Sequence, residues 1–112
     1  MTTEVRPWGL FENLLEEIDY KVKRIIISPN QSISLQYHFH REEYWIVVEG
    51  DGELTIEDTT RHLEVGDSVF IRKEEVHRLR AGKNGITVIE TQLGVCDEED
   101  IVRLEDHYGR VE

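Results

Sequence analysis

Short runs rich in valine, isoleucine and aromatic residues recur along this chain, and turn signals separate them at regular intervals. Such runs are typical of β-strands, because branched and aromatic side chains pack well on a pleated surface. Strands and turns at this regularity predict an all-β sandwich or barrel. The runs that we interpret as strands lie at 20–28, 35–40, 45–48, 54–56, 61–63, 68–71, 76–79 and 86–92.

Three other segments carry specific expectations. Residues 49–52 contain an Asp-Gly pair, which accepts positive φ easily, and predict a hairpin turn between the strands at 47–48 and 54–56. The glycine-containing stretch 81–85 is expected to be a flexible link. Residues 11–18 fit either a helical turn or a short edge strand.

The C-terminal tail has a different pattern. Acidic residues occupy 97–100, where a helix dipole would favour them, and apolar residues recur at helical spacing at 101, 102, 104 and 108. We therefore expect a short C-terminal helix that caps the barrel. At 112 residues, the chain has the size of one domain, and we predict a single domain over 1–112.

The charge balance argues against one large class of partners. With 13 Lys and Arg against 24 Asp and Glu, the formal net charge is −11, which repels the phosphate backbone of nucleic acids. The lone Cys96 excludes an intramolecular disulfide and fits a reducing compartment. No apolar run reaches membrane-spanning length, and the N-terminus has no signal-peptide segment, so we expect a cytoplasmic protein with no membrane partner.

One predicted strand carries a row of polar, ligand-capable side chains. Because side chains alternate between the faces of a strand, Gln36, His38 and His40 share one face. Glu43 follows shortly, and His77 adds a nitrogen donor that is distant in sequence. These groups form a nitrogen and oxygen donor set suited to a divalent metal. The simpler interpretation is a polar strand face that meets solvent.

The opposite face of the same strand is apolar. Leu35, Tyr37 and Phe39 alternate with the polar row and cannot face the same polar interior. A second copy of the chain would cover them, so we expect a homodimer.

The spacing of the polar residues resembles the first motif of the cupins, a superfamily of small β-barrels. That motif reads Gly-(x5)-His-x-His-(x3 or 4)-Glu-(x6)-Gly. Here Asn30 stands at the first Gly, Gln36 at the first His, and His38, Glu43 and Gly50 at the remaining positions.

The second cupin motif, Gly-(x5)-Pro-x-Gly-(x2)-His-(x3)-Asn, is matched only at Gly66 and His77. Arg72, Glu74 and Ala81 stand where Pro, Gly and Asn are usual. The resemblance implies a cupin fold and a set of metal ligands, with His40 as a group that supports the ligands or contacts substrate. The implied ligands are Gln36, His38, Glu43 and His77.

A closer resemblance covers nearly the whole chain and points to the cupin domain of type II mannose-6-phosphate isomerases. It implies a metal-dependent interconversion of mannose 6-phosphate and fructose 6-phosphate, with Zn, Mn, Co or Fe as the ion. In that family the domain commonly follows a guanylyltransferase domain, and we expect a stand-alone domain here. The segments that carry the resemblance are 6–9, 20–24, 34–36, His38, 40–41, Glu43, Trp45, 76–78, 100–103, 105–106 and 108–110.

Aldose–ketose exchange moves a proton between adjacent carbons, so it needs a base and an electrophile, such as a divalent metal, that stabilises the enediolate. His40 and Glu90 are the candidate bases, although a structural carboxylate is an equally good interpretation of Glu90. Arg41, Lys21 and Lys23 are the candidate phosphate contacts, because cations bind phosphate as forks or point charges. For at least two of these three residues, solvated surface charge is the expected role.

Two other functions stay open. One is a non-catalytic cupin that binds a sugar phosphate or nucleotide sugar as a regulatory or scaffolding module. The other is an oxygenase that uses the same site with iron.

Overall fold

The computed structural model describes residues 2–95, 97, 99–106 and 108, so the lone Cys96 lies outside the described residues. Within them all regular secondary structure is β, which confirms the predicted fold class. No helix among them has the length and apolar character needed to cross a membrane. The strands of this part of the chain are β1 (Thr2–Arg6), β2 (Gly9–Glu16), β3 (Tyr20–Ile27), β4 (Leu35–Tyr37), β5 (Arg41–Ile56), β6 (Thr59–Glu64), β7 (Ser68–Ile71), β8 (His77–Gly94) and β9 (Val102–Glu105).

These strands form one curled sheet. Its main path runs β1-β2-β3-β8-β4-β9, while β5 pairs with β6, β7 and β8. The pairs are antiparallel, and side chains alternate between a buried inner face and an outer face. The inner face holds an apolar core made of Trp8, Phe11, Ile27, Ile33, Trp45, Val47, Leu54, Leu63, Val69, Ile71, Leu79, Ala81, Ile86 and Val88.

The two longest strands, β5 and β8, run through segments that the sequence predicts to be a turn and a link. The expected hairpin at 49–52 and flexible link at 81–85 are therefore wrong. β5 instead shifts register between Gly50 and Gly52 as it pairs with β8. The backbones approach closely there, since a Cβ at Gly50 would lie 2.1 Å from the carbonyl oxygen of Gly85. Two long strands bend together at this bulge.

The N-terminal part also resolves an open alternative. Residues 9–16 form β2, so the strand interpretation is confirmed and the helical turn is not formed. β2 is not an edge, because β1 pairs along it from the outside. The predicted strand at 20–28 is confirmed as β3.

The predicted C-terminal helix is not present among the described residues. Residues 102–105 form β9, which pairs with β4 through Gln36 opposite Arg103 and Tyr37 opposite Val102. A segment this short gains little as an isolated helix, whereas pairing satisfies the backbone groups of a strand edge.

Candidate metal centre

The register of the sheet brings the polar inward residues together. Glu43 of β5 lies opposite Gln92 of β8, and His77 at the start of β8 lies opposite Gln36 of β4. His38 follows directly after β4. These residues come from separate parts of the chain, yet strand pairing places them on one inner surface.

Three of the four predicted metal ligands form one buried group. His38, Glu43 and His77 each offer a ligand atom, and those atoms all lie within 4.8 Å of one another. The side chains are nearly inaccessible, with exposed fractions of 3%, 2% and 0%. His38 Nε2 lies 3.5 Å from Glu43 Oε2, and His77 Nε2 lies 3.9 Å from Glu43 Oε1.

Hydrogen bonds fix the protonation of both histidine rings. His38 Nδ1 lies 2.6 Å from the carbonyl oxygen of Asp100, and His77 Nδ1 lies 2.9 Å from that of Glu75. Because a carbonyl can only accept, each Nδ1 carries the proton and each Nε2 offers a lone pair. Burial lowers the pKa of His38 to about 4 and also lowers the pKa of His77, so both rings are neutral at neutral pH.

Glu43 is the anion of the group. Burial alone would raise its pKa, but the Arg41 guanidinium beside it outweighs that effect, so the pKa of Glu43 is lowered. Arg41 Nε donates to Glu43 Oε2 at 2.9 Å, and the Trp45 indole donates to Glu43 Oε1 at 3.2 Å. The carboxylate is therefore ionised and held at both oxygens.

This group fits a divalent metal. Two unprotonated nitrogens face one carboxylate, and His77 Nε2 is buried with no hydrogen-bond partner among the described residues. Metal binding requires deprotonated ligands, and a backbone carbonyl behind each histidine is the usual way to orient it. The mixed nitrogen and oxygen set suits Zn, Mn, Co or Fe.

The fourth predicted ligand, Gln36, lines the cavity beside this group. It is half-buried on β4, and its Oε1 accepts a hydrogen bond of 2.8 Å from the Ser34 hydroxyl. The amide oxygen has a second lone pair and can also serve a cation.

The structure does not bring His40 to the group. The alternation that would put it beside His38 ends because β4 stops at Tyr37 and the chain bends at 39–40. His40 is exposed, and its backbone amide donates to Asp100 Oδ2 at 2.9 Å.

His38 and Glu43 line a cavity of about 90 Å³. Glu90, Lys23 and Arg41 also line it and are 4%, 4% and 6% exposed, so the expectation of solvated surface charge is wrong for Lys23 and Arg41. Burial and the neighbouring Glu43 raise the pKa of Glu90 to about 7. Lys21 occupies the same face of β3 as Lys23, where it pairs with Gln92, and is half-buried.

Two residues of the site were missed or misread in the sequence. The sequence predicts Asp100 to be part of a helix start, but its carboxylate accepts hydrogen bonds from the amides of Phe39 and His40, both at 2.9 Å. Burial opposes but does not cancel the effect of these two bonds, which lower the pKa of Asp100. Trp45 belongs to the apolar core, and its indole also donates to Glu43. Nothing local in the sequence signals either contact.

A profile of the family described as mannose-6-phosphate isomerase C-terminal matches residues 1–106. The chain belongs to this family. Similar curated proteins include the mannose-1-phosphate guanylyltransferase ManC of Salmonella typhimurium, 39% identical over 108 residues, and the alginate biosynthesis protein AlgA of Pseudomonas putida, 43% identical over 107 residues. The alignments cover 95% and 94% of this chain and 22% of each relative. This mannose-6-phosphate isomerase C-terminal domain thus spans about a fifth of the curated relatives it matches.

Solved structures share the fold of this family member. KdgF from Halomonas sp. superimposes with a TM-score of 0.79 at 19% identity, covering 86% of this chain and 89% of that one. The cupin domain of Cnp3 from Schizosaccharomyces pombe gives a TM-score of 0.73 at 13% identity, covering 80% and 74%. At these identities the likeness establishes the fold alone, and it confirms the predicted cupin architecture.

Proposed function

We propose that the chain is a metal-dependent isomerase that interconverts mannose 6-phosphate and fructose 6-phosphate. The observation that carries this proposal is the buried group of His38, Glu43 and His77, whose two unprotonated nitrogens face one carboxylate. Membership of the mannose-6-phosphate isomerase C-terminal family supports the choice of substrate. These three residues would hold the ion, with Gln36 as a further ligand from the cavity wall.

The reaction moves a proton between two adjacent carbons of the sugar. When bound, a divalent ion supplies a positive charge that polarises the carbonyl and hydroxyl oxygens. Glu90 is the base in this proposal, because it lines the same cavity and a pKa of about 7 lets it accept and return a proton near neutrality. His40 is the weaker candidate, since its side chain is exposed.

The cationic side chains that line the cavity suit an anionic substrate. The Lys23 ammonium lies 4.1 Å from the centre of the Phe11 ring and lines the cavity with Glu90. We propose that Lys23 contacts the substrate phosphate or a sugar hydroxyl, with Lys21 further along the same face of β3 as an additional contact. Arg41 lines the same cavity, but its guanidinium is hydrogen-bonded to Glu43.

A second function is favoured by a different observation. The similar protein ManC is named as a mannose-1-phosphate guanylyltransferase, and this chain matches 22% of its length. A domain of this kind can also bind a sugar phosphate or nucleotide sugar without converting it, and so regulate or scaffold a partner enzyme. The departures from the second cupin motif at Arg72, Glu74 and Ala81 agree with this alternative.

One experiment separates the candidates. Purified protein loaded in turn with Mn, Zn, Co or Fe is assayed for conversion of mannose 6-phosphate, and its binding of the same sugar is measured by calorimetry. Turnover that His38→Ala abolishes and that the exposed-site control His62→Ala preserves supports the isomerase. Binding without turnover supports the regulatory module, and oxygen consumption with iron points to an oxygenase.

We also infer that the chain forms a homodimer, through a face different from the one suggested by the sequence. Of the three residues in the predicted apolar row, Leu35 and Tyr37 are half-buried and Phe39 alone is exposed, at 43%. By contrast, the outward side chains of β5 at Tyr44, Ile46 and Val48 are 51%, 43% and 39% exposed. They carry no charge in a chain of net charge −11. Two copies can therefore meet there without bringing acidic groups together.

A further inference from the structure

Arg41 makes contacts with the two metal-ligand candidates that face it. Its Nε donates to Glu43 Oε2 at 2.9 Å, and its Nη2 lies 3.3 Å from His38 Nε2. A third contact runs from Nη1 to the carbonyl oxygen of Asp97 at 3.3 Å. The side chain is 6% exposed, so these contacts are formed away from solvent.

The contact with His38 uses the atom that a metal would need. The His38 Nδ1 proton is directed at the carbonyl of Asp100, so the neutral ring has one lone pair left, at Nε2. That lone pair can accept the Arg41 N–H or bind an ion, but it cannot do both. Glu43 is less exclusive, because a carboxylate oxygen has room for two partners.

We propose that Arg41 competes with the metal for His38 and Glu43, and that its guanidinium leaves His38 when the ion binds. The buried carboxylate then always has a cation beside it, either the guanidinium or the ion. This accounts for an ionised Glu43 in a site that would otherwise strongly penalise a charge. Metal affinity is then set by the difference between two free energies, that with which the ion binds His38 and Glu43 and that with which the Arg41 guanidinium binds them.

A guanidinium displaced from His38 would favour binding of a phosphate group. This inference rests on the proposed function. Arg41 and Lys23 line the same cavity, so an added divalent ion leaves two fixed cations beside it. Glu43 and Glu90 together cannot balance that charge. A phosphate dianion would, and Arg41 offers it a fork of N–H donors. By linkage, metal and phosphate then strengthen each other's binding.

The opposite role for Arg41 predicts the opposite result. If the guanidinium only orients Glu43 from behind, its removal would weaken metal binding, as loss of such supporting groups usually does. Competition predicts that removal strengthens it. The sign of the change therefore decides between the two roles.

The test is a calorimetric titration of Mn²⁺ into metal-free wild-type protein, Arg41→Gln, Arg41→Lys and the exposed control Arg72→Gln. We expect Arg41→Gln to bind Mn²⁺ about tenfold tighter, because the ion no longer has to displace a hydrogen bond from a charged donor, and we expect Arg72→Gln to match wild type. Arg41→Lys separates contact from charge, because lysine keeps the charge but cannot reach Glu43 and His38 together. Tighter binding by Arg41→Lys supports competition for the lone pair. Unchanged affinity in Arg41→Lys, or weaker binding by Arg41→Gln, overturns it.

A second measurement covers the case in which these variants fail to fold. The ¹⁵N signals of the His38 ring and the Arg41 guanidinium are followed in wild-type protein as Zn²⁺ is added. Competition predicts that both signals change together. A His38 signal that shifts to its metal-bound value while the Arg41 signals stay constant would contradict it.

The proposed anion step, in which phosphate binds beside the metal ion and Arg41, is tested by a separate binding measurement that requires no turnover. Inorganic phosphate is expected to tighten Mn²⁺ binding to wild-type protein and to have little effect on Arg41→Gln. If phosphate leaves wild-type affinity unchanged, the anion step is wrong. Because both assays measure binding, an absence of isomerase activity would refute the proposed function and leave these results standing.

Discussion

His38 Nδ1 donates to the carbonyl oxygen of Asp100 at 2.6 Å, across 62 positions of sequence. The Asp100 carboxylate meanwhile accepts the amides of Phe39 and His40. One residue therefore fixes the tautomer of a candidate ligand and the backbone turn that follows it. Such supporting bonds orient a ligand and determine how well it binds an ion.

Removing the Asp100 side chain tests this support. In Asp100→Ala both amides lose their acceptor while the carbonyl that faces His38 is retained, so His38 is oriented less firmly. We expect Mn²⁺ affinity to fall about tenfold, as measured by calorimetry. Glu99→Ala, at an exposed neighbour, is the control. Equal affinities in the two variants would show that the carboxylate has no part in the site.

Metal removal is expected to lower stability only where the ligands are intact. An ion at 100 times its dissociation constant stabilises the folded state by roughly 2.7 kcal/mol. We expect a chelator to lower the thermal midpoint of wild-type protein and of His62→Gln, but not that of His77→Gln. Differential scanning calorimetry with and without added Mn²⁺ provides the measurement. A chelator effect that persists in His77→Gln would place the ion elsewhere.

Glu90 makes stability depend on pH in a direction that follows from its raised pKa. Between its ordinary value of 4.5 and about 7, the folded chain keeps a proton that the unfolded chain releases. Stability contributed by this group is therefore present below pH 4.5 and lost as the pH rises through 7. The Glu90→Gln variant has no such loss. We therefore expect its free energy of unfolding, measured relative to wild type, to be on the order of 2 kcal/mol higher at pH 8 than at pH 4.5.

Urea unfolding in the presence of a chelator, at both pH values, measures this difference. The exposed control Glu53→Gln is expected to leave the pH dependence of wild-type protein unchanged. A Glu90→Gln variant with the wild-type pH dependence would mean that Glu90 is not buried as a neutral acid.

The bulge shared by β5 and β8 depends on a close backbone approach. Gly50 and Gly66 both have positive φ, but a Cβ at Gly50 would lie 2.1 Å from a carbonyl oxygen, whereas nothing lies within 4 Å of one at Gly66. We expect Gly66→Ala to cost about 1 kcal/mol from backbone strain and Gly50→Ala about 3 kcal/mol or more. Chemical denaturation compares them. Equal costs would mean that the strands separate readily at the bulge.

The proposed dimer face can be tested with two matched substitutions. Ile46→Glu introduces a charge on the outer face of β5, while Val65→Glu does so in the turn after β6, at a residue that is 62% exposed. We expect light scattering at micromolar concentration to report a dimer for wild type and Val65→Glu and a monomer for Ile46→Glu. A monomeric wild-type protein would refute the interface.

The strand pattern shows how far local sequence information reaches. The predicted strands at 20–28 and 68–71 are formed as β3 and β7, because branched residues between turn signals are specified locally. Residues 49–52 were misread, since an Asp-Gly pair fits a hairpin turn and a bulge equally well. Only pairing with β8 distinguishes the two. The tail was misread for the same reason, because its pairing partner is β4.

The sequence by itself determined the class of the fold and the chemical types of the ligands, since strand propensity and donor chemistry belong to individual residues and their spacing. The tertiary structure decided which donors meet. It turned His38 inward and His40 outward, brought Arg41 against Glu43, and made Asp100 the support of His38. These outcomes depend on where a strand stops and which distant backbone pairs with it, and such long-range contacts leave no periodic signal in the chain.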